Sequence, residues 1–258
     1  MHFTSDEVST LIGAYLWPFC RIGAFVMAVP LFGSTVVPAR VRLVLALALT
    51  VVIAPVIPST PVPILSLQGG GLIVQQFLIG IAMALVLQMV FQAFVIGGQT
   101  VAMQMGLGFA SMIDPQHGVS VSVVSQLYQI LITLVFLALD GHLVVIQVLA
   151  ESFYRLPLGM GSLSSDNFWQ LVGGGSWMFA GSMLIALPAI GALLLVNLTF
   201  GVMTRAAPQL NPFSIGFPLT LILGFGILLF TLPSASSHLV NLVDTALDLI
   251  RTLLREEG

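Results

Sequence analysis

Lysine is missing from this 258-residue chain, and charge of either sign is scarce: seven arginines and ten acidic residues make up 7% of it. An average domain is about a quarter charged residues, so an ordinary water-facing surface is excluded. With a formal net charge of −3, so is the basic face that nucleic acid requires. A single cysteine, Cys20, cannot form an internal disulfide and carries no information on compartment. No HExxH, paired CxxC or GxSxG pattern occurs, and a phosphate cradle ending in lysine is impossible here. Asp140 and His142 point apart if helical. Asp114 and His117 lie three apart in a break, where Asp114-Pro115 starts a turn. Catalysis is therefore not expected, and nothing calls for a cofactor or a metal.

What is present is apolar: 58% of residues are hydrophobic and the mean hydropathy is +1.10. Residues 43–113 contain no Asp, Glu, Lys or Arg, interrupted by Gly, Pro and Gln, so they form several membrane segments. A spanning helix needs about 20 apolar residues, which leaves room for six or seven. The runs are too long for the roughly ten-residue strands of a barrel. The expected fold is an all-α membrane protein of about six long, kinked hydrophobic helices and a C-terminal amphipathic helix, in one domain.

Thr4 and Glu7 have capping-box spacing at the start of a helix over 5–29; the N-terminus lacks the positive region of a signal peptide, so this segment is expected to be retained. Pro30 and Pro38 bracket a loop ending in Arg40 and Arg42. A second helix covers 41–57 and closes in PVIPSTPVP and a Gly69-Gly70-Gly71 linker. The third covers 72–105, completing an N-terminal helical block (5–105). After a Gly-rich polar break at 106–122, a fourth helix covers 121–139 and resumes beyond Asp140-Gly141-His142 as far as Arg155. A surface loop follows at 156–167. The fifth begins near Phe168, is interrupted at Pro188 and reaches Thr204. The sixth covers 213–232 and ends the second block (123–232). In the tail, 238–257, Asp244, Asp248, Arg251 and Arg255 share a face, and Leu239, Leu242, Leu249, Ile250 and Leu253 lie largely on the other as an apolar stripe. That stripe asks for an interface or a partner.

Two conflicts are informative. Arg40, Arg42 and Arg205 want the cytoplasmic side, as do Arg251 and Arg255, and six simple crossings cannot satisfy both groups. A central Arg21 costs about 2.5–3.5 kcal/mol on insertion, so helix one, kinked by Pro18, is expected to pack against protein rather than lipid. Gln88, Gln92 and Gln99 lie within about 40° of each other on helix three. Such a stripe lines an aqueous path or hydrogen-bonds neighbouring helices, and both readings stand open. Polar backbone at 106–122 is tolerated only inside protein or beside a water-filled cavity. Gly106, Gly108 and Gly118 allow unusual backbone angles; Phe109, Met112 and Ile113 sit among them, with the deformable Met103 and Met105 just before. A soft seal and an ordinary interhelical loop both fit. Pro208 and Pro212, beside Arg205, predict a structural corner between helices five and six.

GLGFASMIDPQ, LALDGHL and MTRAAPQLNPFSIGFPLTLILG resemble, in order, the signatures of the FliR family, export-gate proteins of the flagellar type III secretion system. The opening WPFCRIGAFVMAVPLFGSTVVPARVRLVLALALT is similar to the family's N-terminal segment, and the likeness covers essentially the whole chain. The resemblance implies kinked helical hairpins lifted largely out of the bilayer plane, in the bacterial inner membrane at the flagellar basal body. It implies FliP-like and FliQ-like partners, an attached FlhB-like protein, and unfolded polypeptides as cargo. It further implies that 106–122 is a plug in the closed channel, with Phe109 and Met112 at its inward apolar positions. Gly106, Gly108 and Gly118 would then act as hinges, Ile113 would join the seal, and Asp114-Pro115 would fix the turn. A virulence-secretion gate shares this architecture. A small-solute permease is the alternative of another class, and a membrane-embedded enzyme stands third.

Overall fold

The computed structural model describes residues 5–31, 37–57, 66–108, 122–159, 163–207 and 216–254, and all regular structure among them is helical. In chain order the helices are α1 (Ser5–Ala28), α2 (Ala39–Ile53, extended by a 3-10 turn, Ala54–Val56) and α3 (Leu67–Gln104). There follow α4 (Val123–Ala138), α5 (Gly141–Arg155), α6 (Ser165–Ala206) and α7 (Phe217–Leu253). Among the described residues four stretches are long and apolar enough to cross a membrane, namely α2 with its extension, α3, α6 and α7. The pair α4 and α5, broken at Asp140, makes a fifth if counted as one span. The all-α membrane class is therefore correct.

Several expected interruptions are absent. Gly69, Gly70 and Gly71 are not a linker but the first turn of α3, because Ser66 caps it: the Gly69 amide donates to Ser66 Oγ at 3.0 Å. Pro188 lies within a continuous α6. Pro233 lies within a continuous α7 that joins the expected sixth helix to the amphipathic tail. A proline inside a helix removes one backbone bond, and hydroxyls return to the backbone around Pro233. Thr231, Ser234, Ser236 and Ser237 donate to the carbonyls of Leu228, Thr231, Pro233 and Ser234. None of these acceptors is the Leu229 carbonyl, the one that the missing Pro233 amide frees. Asp140 takes a left-handed conformation, φ 56°, and its carbonyl starts α5 by accepting from the Leu143 amide at 2.9 Å.

The chain forms two compact units, Met1–Met89 with Asp140–Gly175 and Asp244–Gly258, and Val90–Leu139 with Ser176–Val243. The first is built around α1, whose Trp17, Arg21, Ile22 and Phe25 are buried. Arg21 is fully buried and pairs with no carboxylate among the described residues. Its Nε donates to Gln76 Oε1 at 2.7 Å, Nη1 to the Ser152 carbonyl at 2.9 Å and hydroxyl at 3.2 Å, and Nη2 to the Leu156 carbonyl at 2.9 Å. Its guanidinium lies 4.3 Å from the Phe153 ring centroid. The expectation that helix one packs on protein is met by this network. α1 and α3 approach so closely that a Cβ at Gly80 would lie 2.4 Å from the Arg21 carbonyl.

Part of the amphipathic stripe is covered by the protein itself: Ile250 and Leu253, with Ala246 and Leu247, are buried in this unit and Leu239 in the second, while Leu242 and Leu249 remain half-buried. A polar clasp fixes this end of α7. Asn167 and Ser164 form a reciprocal cap at the start of α6, and Asn167 Nδ2 donates to the Leu253 carbonyl at 3.0 Å.

The second unit packs the C-terminal part of α3 on α4, with Phe91 and Phe136 edge to face at 5.4 Å. Gly97 of α3 faces the Ser182 carbonyl of α6, and Gly224 of α7 faces Met105. Outward faces remain apolar: Leu229 is 72% and Phe230 89% exposed.

Arg21→Ala should leave the Gln76 amide oxygen and the Leu156 carbonyl unpaired, at about 1–3 kcal/mol each, and open a cavity among α1, α3 and α5. Arg21→Lys keeps the charge but loses the fork. Both variants should therefore fall well below wild type in membrane abundance and in melting temperature in detergent. A wild-type Arg21→Lys would show that charge alone suffices. A chain ending at residue 243 should also fail to accumulate in pulse-chase experiments, since it loses Leu247, Ile250 and Leu253 from the core at about 1.5–3 kcal/mol each. Normal accumulation with lost partner binding would return the stripe to an external interface.

Candidate functional site

α3 ends in the second unit with a glycine cap. Gly106 has φ 83°, its amide donates to the Met103 carbonyl at 3.1 Å, and the Leu107 amide donates to the Ala102 carbonyl at 3.0 Å. This pair of bonds requires a left-handed residue after the helix, which glycine supplies without strain. The turn at 106–108 thus leads the chain out of α3 at a fixed point.

The chain returns at Ser122, which caps α4 by accepting from the Ser125 amide at 3.1 Å. Gln99 Oε1 accepts from the Ser122 amide at 3.0 Å and from Ser125 Oγ at 3.3 Å. Ser125 Oγ also lies 2.9 Å from the Val95 carbonyl. Gly98 presses on the Ser125 backbone. Gln99 and Gly106 lie seven residues apart, about 10 Å along the axis. Both feet of the intervening segment are therefore held on the last two turns of one helix.

Phe109, Met112, Ile113, Asp114, Pro115 and Gly118 lie outside the described residues, as do Pro208 and Pro212. Met105 is fully buried, against Gly224, whereas Met103 is 61% exposed. Gln88 and Gln92 are half-buried; of the three amides, Gln99 is the one whose hydrogen bonds join α3 to α4. Arg205 is exposed in the last turn of α6, where a cation suits the helix dipole. Among the described residues no three His, Cys, Asp or Glu side chains cluster; the polar chemistry here is that of amides, hydroxyls and backbone. Sequence reasoning missed Gln76, Ser152 and Phe153 around Arg21, and Ser122 and Ser125 beside Gln99. Ser122, three residues before Ser125 at the start of an apolar run, was the readable signal of a helix cap.

Residues 12–246 match the family described as bacterial export proteins, family 1. The flagellar biosynthetic protein FliR of Pectobacterium carotovorum subsp. carotovorum is 37% identical over 257 residues, covering 98% of this chain and 97% of that protein. The protein of the same name from Escherichia coli (strain K12) is 36% identical over 256 residues, 99% and 98% of the two chains. That of Bacillus subtilis (strain 168) is 27% identical over 256 residues, 98% and 99% of the two chains. With the family matched across nine-tenths of its length and relatives aligned nearly end to end, the chain belongs to family 1 of the bacterial export proteins, the family of the flagellar FliR proteins.

Proposed function

We propose that this protein is the FliR-like subunit of a flagellar type III export gate in the bacterial inner membrane, at the flagellar basal body. There it assembles with FliP-like and FliQ-like subunits, with an FlhB-like protein attached, around a channel for unfolded flagellar proteins. Its role is transport, not catalysis. The near end-to-end match to flagellar biosynthetic proteins carries this reading and favours it over virulence secretion and over a permease. Helix length supports it as well. At 1.5 Å per residue α3, α6 and α7 run about 57, 63 and 56 Å, nearly twice the roughly 30 Å hydrocarbon core.

The segment 106–122 is the plug of this gate. A closed export channel must stop ions yet open for a polypeptide. Apolar side chains on a short segment dewet a narrow constriction and are cheap to displace. The seal is assigned to Phe109, Met112 and Ile113, with Met103 and Met105 as gasket residues, Gly106 and Gly118 as hinges and Asp114-Pro115 fixing the turn. The fixed feet at Gly106 and Ser122 allow the segment to move without unwinding α3 or α4. The corner at Arg205, Pro208 and Pro212 is assigned a structural role.

Expressed without its FliP-like and FliQ-like partners, the protein should aggregate or be degraded; co-expressed, it should co-purify with them. A monodisperse monomer that transports a small solute alone would establish the permease instead. Deleting residues 109–121 should leave the complex assembled but raise small-ion conductance across the membrane, and Gln99→Leu, which frees the Ser122 foot, should give a smaller leak. Loss of assembly, or complexes that stay tight to ions, would make the segment a packing element.

A further inference from the structure

A groove of 420 Å³ runs between α1 and α2 in the first unit, walled by Ile12, Leu16 and Phe19 on one side and Leu47, Thr50 and Val51 on the other. Thr50 Oγ1 is already used, donating to the Ala46 carbonyl at 2.7 Å, which leaves the Tyr15 hydroxyl as the remaining side-chain polar group of the lining. At about 30 Å³ per molecule the groove would take roughly fourteen waters, nearly all facing carbon. An apolar occupant is favoured by the area it removes from water.

The α2 wall continues beyond the groove. Arg40, Val44, Leu47 and Val51 fall within about 60° of each other on the helix, and all four are exposed. Arg40 makes no ion pair among the described residues, and α2 contains no acidic residue. Arg42 lies at the same end, its Nε tied to the Val37 carbonyl at 3.1 Å. Two cations in the first turn oppose the helix dipole, and a phosphate beside Arg40, on the face of the stripe, offsets that penalty. From Arg40 to Val51 the stripe is about 17 Å long, close to half of the roughly 30 Å hydrocarbon core. One charged end and one leaflet's depth of uncharged carbon are the dimensions of a single lipid.

We infer that the α1–α2 groove seats an acyl chain of an anionic phospholipid, with the headgroup phosphate held by Arg40. The guanidinium fork matches phosphate oxygens, and anionic headgroups attract each arginine near the surface.

The test is made in cells, in the full chain with its gate partners. A photo-crosslinking residue replaces Leu47, and the adduct is identified by mass. A phospholipid adduct is expected, reduced about fivefold by Arg40→Gln. A crosslink to another protein chain, or a lipid adduct indifferent to Arg40→Gln, overturns the inference. Native mass spectrometry of the purified complex supplies an independent reading. The wild type should retain phosphatidylglycerol over phosphatidylethanolamine, and Val51→Trp, which fills the groove, should lose it. Equal retention by Val51→Trp overturns the inference whatever the exporting activity of the complex.

Discussion

Arg21 is taken out of water without a carboxylate beside it, and the packing of the first unit follows from how that charge is accommodated. A guanidinium has five N–H donors and no acceptor, and burying it unpaired costs several kcal/mol. The last carbonyls of a helix have no partner within it. Leu156, just past the C-terminal end of α5, offers such a carbonyl, and the Ser152 carbonyl, which already accepts from the Leu156 amide, takes a second bond; the negative end of the dipole there also favours a cation. Gln76 contributes an amide oxygen from α3, and Phe153 the face of its ring. One side chain of α1 thus completes the end of α5 and sets the depth of α3, which can come close because residue 80 is glycine.

The second unit solves the same problem without a charge. Its helices meet through small residues, and its polar groups are consumed locally: Ser125 bridges α4 to the Val95 carbonyl, and Gln99 reaches across to Ser122. In an apolar environment such bonds add little stability on average, because the unpacked helices also find partners. What they supply is position. The Gln99 clasp and the Gly106 cap fix where the chain leaves α3 and where it enters α4, so the segment between them starts and ends at defined points. That is the property a displaceable seal requires of its anchors.

Much of the fold was legible because it follows from arithmetic on single segments. Uncharged length implied long helices, α1 runs within a residue of its expected end, and the insertion cost of Arg21 placed it against protein. The failures share one cause. Pro188 and the Gly69–Gly71 run were read as breaks from local costs of about 1–3 kcal/mol each, and the sixth helix was ended at 232, before the tail. Helices of 37 to 42 residues absorb such a cost because it is small beside the many backbone bonds and the packing that a long helix gains. Partners were illegible for a different reason. Gln76 lies 55 and Ser152 131 residues from Arg21, and no periodicity reports on contacts at that separation. Likewise the spacing of Gln88, Gln92 and Gln99 defined a face, while what Gln99 meets depends on the return of the chain 23 residues later.

The conflict among the arginines has a physical origin in the same helix lengths. The positive-inside rule sorts short loops that flank helices of about one bilayer thickness. Here α3, α6 and α7 exceed the hydrocarbon core by roughly 25–35 Å each, so their ends need not mark its two surfaces. The surplus is not built for water: Leu194, Leu195, Leu198 and Val202 of α6 are exposed, as are Ile222, Leu229 and Phe230 of α7. Contiguous apolar surface of this extent on a free protein invites aggregation. On the gate reading proposed above, faces that extend beyond the lipid are covered by neighbouring subunits, and Arg40, Arg42 and Arg205 on one side of the conflict, with Arg251 and Arg255 on the other, are sorted by that assembly and not by the bilayer alone.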